Sequence, residues 1–100
     1  MEIRKEEIVD RKKIGELEGS DVFAIRTKGG FNAVVKGGDS AELLGVGSHA
    51  GIALHIAKKK RPKLRVTALT KSMEDHPSVY AQFIPYWEAY TDRLLAKSGK

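Results

Sequence analysis

The sequence predicts an α+β fold: a small antiparallel sheet, built from a hairpin or meander plus one later strand, packed by two helices. Three patterns carry that expectation. Runs rich in β-forming residues flank the pair Gly29-Gly30, an apolar run leads into Lys58-Lys59-Lys60-Arg61-Pro62, and the last quarter of the chain carries an apolar stripe at helical spacing. With 100 residues, 41% hydrophobic and 31% charged, the chain reads as a single globular domain, 1–100, rather than a disordered, collagenous or rod-like one.

Residues 2–18 mix charges of both signs with Ile3, Ile8, Val9, Ile14 and Leu17, and fit neither period cleanly. Pairs four apart, Glu7 with Arg11 and Lys12 with Glu16, suit a helix, whereas Gly15 opposes a long one. The segment reads as a short helix or a strand. From Asp21 to Thr27 and from Phe31 to Lys36 the chain favours strands, and Gly29-Gly30 supplies the positive φ that a hairpin turn needs. Gly37-Gly38-Asp39-Ser40 marks a second turn, and 41–46 completes a meander, the competing reading being a short helix capped by Asp39 or Ser40.

After Gly45-Val46-Gly47, Ser48 is placed as the N-cap of a helix over 48–60, which is apolar on nearly all sides early and basic at its exit, with Pro62 ending it. Residues 64–70 alternate as a strand. Val79, Phe83, Trp87, Tyr90 and Leu94 step by three or four along a helix over 77–97, which Pro85 is expected to kink or to divide into two pieces. Both helices are expected on one sheet face. The aromatic stripe suits core packing first and a homo-oligomer face second.

Composition excludes several functions. Zero cysteines rule out disulfides, thiolate metal sites and a cysteine nucleophile, and fit a reducing cytoplasm. The longest apolar stretch falls far short of the ~20 residues that span a bilayer, and the charged start is unlike a secretory signal. His49 and His55 lie about 240° apart around a helix, so they cannot share a metal ion, and no cofactor is implied. Glu74-Asp75 are adjacent, which suits a turn rather than the opposed carboxylates of acid–base catalysis.

The net charge of +5 is concentrated. No carboxylate occurs between Glu42 and Glu74, a gap that holds Lys58, Lys59, Lys60, Arg61, Lys63, Arg65 and Lys71. Such a block neutralises phosphates without reading sequence. A non-catalytic module for nucleic acid or another polyanion or acidic partner, with Lys58, Lys59, Lys60, Arg61, Lys63 and Arg65 as the contact set, is therefore the leading functional reading. Phe23 and Phe31 are candidate stacking residues whose alternative role is the core.

A second reading starts from Gly45-x-Gly47-x-x-Ala50, which matches the spacing of a dinucleotide-binding turn. No acidic residue follows at the end of 64–70 to hold a ribose, so the turn reads as a generic small-ligand or nucleotide-phosphate site using Gly45, Gly47, Ser48 and His49. Ser48 stands one position early for a nucleophile elbow. A protein-interaction or homodimerisation module using the aromatic C-terminal helix is the third reading.

Overall fold

The computed structural model describes residues 2–3, 7–37, 41–74 and 81–98. Along the chain run β1 (Glu2–Ile3), β2 (Ile8–Leu17), β3 (Ser20–Thr27), β4 (Asn32–Lys36), β5 (Ala41–Gly47), α1 (Ala50–Lys60), β6 (Arg65–Val66) and α2 (Ile84–Ser98). The strands form one sheet in the order β1-β5-β4-β3-β2-β6, every neighbour antiparallel. The fold is a small α+β one in which two helices pack on an antiparallel sheet.

β2 settles the ambiguous N-terminal segment as a strand. Its alternation is obscured by two register shifts, between Ile8 and Asp10 and between Lys13 and Gly15, each adding a residue that breaks the period of two. β2 turns into β3 through Glu18 (φ 52°) and Gly19 (φ 84°), the left-handed pair that a two-residue hairpin favours. The next hairpin closes through Gly30 (φ 90°), where Gly30 N–H donates to the Thr27 carbonyl and Thr27 N–H to that of Phe31. β5 follows as the meander predicts; Gly38, Asp39 and Ser40 lie outside the described residues.

The helices cover opposite faces of the sheet, not one. Val22, Ala24 and Val34 join Ala50, Ala53, Leu54 and Ala57 of α1 in one core. The alternate residues Phe23, Ile25, Ala33 and Val35 join Trp87, Tyr90, Leu94 and Leu95 of α2 in another. Strand alternation makes both cores from the same two strands. The helices touch where Ile52 and Ile56 of α1 pack on Trp87. Beside that contact α2 also covers the outer edge of β5, which β1 pairs only at Ala41 and Glu42. There the buried Thr91 hydroxyl accepts from Val46 N–H (3.3 Å) and donates to the Trp87 carbonyl (2.8 Å).

Three further expectations are corrected. The strand over 64–70 shrinks to Arg65–Val66, because Thr67 and Ala68 N–H both turn to the Ile14 carbonyl and the chain then leaves the ladder. Of the two outcomes expected of Pro85, the kink is not seen: Pro85 lies in the first turn of α2, where a missing N–H costs nothing, and α2 runs on to Ser98. A short 3-10 turn, Ala81–Phe83, precedes it, and residues 77–80 of the expected helix lie outside the described residues. Ser48 is not the helix cap. His49 holds that position in extended conformation without a side-chain cap bond, its carbonyl accepting from Ile52 and Ala53 N–H.

Candidate polyanion-binding surface

The basic block sits where α1 ends and the chain turns towards the sheet edge. The α1 exit is as predicted, with Arg61 N–H returning to the Ala57 carbonyl and a turn at 62–63. The block divides in two by partnership. Lys59 Nζ lies 3.1 Å from a Glu88 carboxylate oxygen, Lys60 pairs with Asp92, and Arg61 pairs with Glu42 while its Nη1 lies 3.7 Å from Glu18. Lys58, Lys63 and Arg65 are exposed and make no ion pair among the described residues. Arg65 stands opposite Glu16 in the ladder, but the Glu16 carboxylate approaches Lys13 instead, at 4.0 Å.

Of the six residues expected to form the contact set, Lys59, Lys60 and Arg61 are thus ion-paired, whereas Lys58, Lys63 and Arg65 make no ion pair among the described residues. Glu88 and Asp92 sit on successive turns of α2, and Glu18 and Glu42 come from the β2–β3 turn and β5. None is near the block in sequence, so the pairing follows from tertiary structure alone. Pairs this exposed contribute at most about 1 kcal/mol each, and the three paired side chains remain on the surface.

The glycine turn is occupied by the protein itself. A Cβ at Gly45 would stand 2.5 Å from the Ala53 carbonyl oxygen and 3.0 Å from Ala57 N, and one at Gly47 would stand 2.6 Å from Ile52 Cγ2. Both glycines are buried and let α1 lie directly on β5. Of the expected ligand residues only Ser48 and His49 are exposed, and the Ser48 hydroxyl and His49 Nδ1 share a 3.2 Å hydrogen bond.

His55 is half-buried in α1, His76 and Asp75 lie outside the described residues, and no group of three potential metal ligands occurs among the described residues. No helix among them is long and apolar enough to cross a membrane. Trp87 and Tyr90 turn into the core, ring edge to face at 5.6 Å, whereas Phe83 and Tyr86 stay exposed. Phe23 and Phe31 pack half-buried against the α2-side core, and the Arg11 guanidinium covers Phe23 at 3.9 Å, so neither ring is an open stacking platform.

Comparison with family models, curated proteins and solved structures finds no match.

Proposed function

We propose that this chain is a non-catalytic module that binds polyanions, with nucleic acid as the partner its charge suits best. The observation that supports it is the unbalanced set Lys58, Lys63 and Arg65, three exposed cations within eight residues and with no carboxylate partner among the described residues. Each is free to neutralise a phosphate without first breaking an ion pair. Lys59, Lys60 and Arg61 lie between Lys58 and Lys63 in sequence and can exchange a carboxylate for a phosphate at small cost. The interaction is electrostatic, so it falls steeply with salt and discriminates little between sequences.

Retardation of mixed-sequence duplex DNA across a salt series tests this. Each phosphate contact contributes about 0.9 to the slope of log K against log salt. Lys58→Gln, Lys63→Gln and Arg65→Gln together are expected to flatten that slope by roughly 2 to 3. Lys59→Gln, Lys60→Gln and Arg61→Gln together are expected to flatten it less. Absence of retardation at low salt, or an unchanged slope in the first triple variant, overturns the proposal.

A further inference from the structure

A second cationic feature lies away from the α1 exit. A cleft of about 510 Å³ opens beside the N-terminal end of α1, with Lys12 of β2, Arg26 of β3 and Lys71 on its wall. It exists because α1 begins at Ala50 and covers the sheet only as far as Ala24. Beyond these two small residues the strands run on uncovered, and Asp10, Arg26 and Asn32 face the space left over.

The donors converge from three separate parts of the chain. Lys12 Nζ donates to the Leu69 carbonyl at 3.1 Å, which anchors the ammonium beside the segment that leads to Lys71 and leaves two protons for a ligand. Arg26 and Lys71 make no ion pair among the described residues. Thr70 Oγ1 accepts from Met73 N–H, so its own hydroxyl proton remains to be donated. Arg11 also borders the cleft, but its guanidinium is committed to the Phe23 ring.

Acceptors stand on the strands beside Arg26. Asn32 Nδ2 donates to the Ser48 carbonyl, which leaves its side-chain oxygen available. Asp10 faces Arg26 across the ladder without an ion pair, and one of its oxygens accepts from Arg11 N–H. The volume lies within the range of roughly 300–1,000 Å³ typical of small-molecule sites. Three cations and a hydroxyl donor in one cleft match a phosphate dianion, and the amide and carboxylate oxygens beside Arg26 match hydroxyl groups.

We propose that this cleft binds a small phosphate monoester of a hydroxylated molecule, such as a sugar or nucleoside monophosphate. The phosphate sits among Lys12, Arg26 and Lys71, and the hydroxyls meet Asn32 and Asp10. The site shares no residue with Lys58, Lys63 and Arg65, so it stands or falls separately from nucleic-acid retention.

The test is an amide-shift titration of the full chain with ribose 5-phosphate, inorganic phosphate and ribose. Ribose 5-phosphate is expected to give saturable shifts at Ala24, Arg26, Ala50 and Lys71, with ribose binding at least tenfold more weakly. Arg26→Gln with Lys71→Gln, both exposed positions, is expected to weaken ribose 5-phosphate at least tenfold, and Lys97→Gln to leave it unchanged. Absence of saturation, shifts centred elsewhere, or an unaltered affinity in the double variant overturns the proposal. Inorganic phosphate binding as tightly as ribose 5-phosphate overturns the role given to Asn32 and Asp10.

Discussion

Gly45→Ala separates the two roles open to the glycine turn. The Gly45 backbone lies outside the left-handed region, so alanine brings no φ strain, and by itself the substitution stabilises a chain by about 0.4–1 kcal/mol through the unfolded state. Against that stands α1. The new methyl would meet the Ala53 oxygen at 2.5 Å where ordinary contact begins at 3.4 Å, so the helix must retreat by the difference, about 0.9 Å. Ala53, Ile56 and Ala57 are fully buried, and a gap of that size forfeits about a quarter to a half of the dispersion energy across it. Overpacking of this kind costs about 1–3 kcal/mol. The helix term wins, leaving a net loss of about 1–2 kcal/mol. Urea unfolding followed by Trp87 fluorescence reads it directly: with a slope of about 1–2 kcal/mol/M the midpoint falls by roughly 1 M. A variant as stable as the parent, or more stable, refutes the packing role and returns Gly45 to the ligand reading.

Two other substitutions probe the frame that carries the candidate surfaces. Thr91→Val removes the acceptor of Val46 N–H in a buried setting and is expected to cost about 1–3 kcal/mol, with Thr91→Ser recovering most of it in the same unfolding assay. Gly15→Ala drives a methyl into the Arg65 carbonyl and to 3.1 Å from Val66 Cα, so β6 must detach. The expected loss is about 2–4 kcal/mol, from overpacking and the forfeited β2–β6 bonds, with hydrogen exchange rising at Thr67 and Ala68 first.

What could be read from the chain was local. The β3–β4 hairpin announces itself through β-forming runs on either side of Gly29-Gly30, and α1 through an apolar run stopped by Pro62. β2 was hidden because its two bulges shift the alternation twice within ten residues. β6 is shorter than its pattern suggests because alternation in 64–70 persists after hydrogen bonding to β2 has ended. Pro85 signals a break, but only the surrounding fold decides that it begins a helix rather than bends one. The candidate surfaces divide in the same way. The basic block is contiguous in sequence and visible there, whereas the carboxylates at 18, 42, 88 and 92 that neutralise half of it arrive from elsewhere in the fold. The cleft was invisible, since Lys12, Arg26 and Lys71 belong to segments with no local relation.

The Thr91–Val46 contact has a bearing on how this chain behaves among its own kind. A sheet whose flank offers unsatisfied amide and carbonyl groups invites an identical strand from a neighbour to dock there. With α2 in place, that flank of β5 is screened and its amide at Val46 is already engaged. Stripped of residues 84–98, the same protein would present an adhesive border and a bared apolar face together. α2 thus screens one border of the sheet as well as covering the second core.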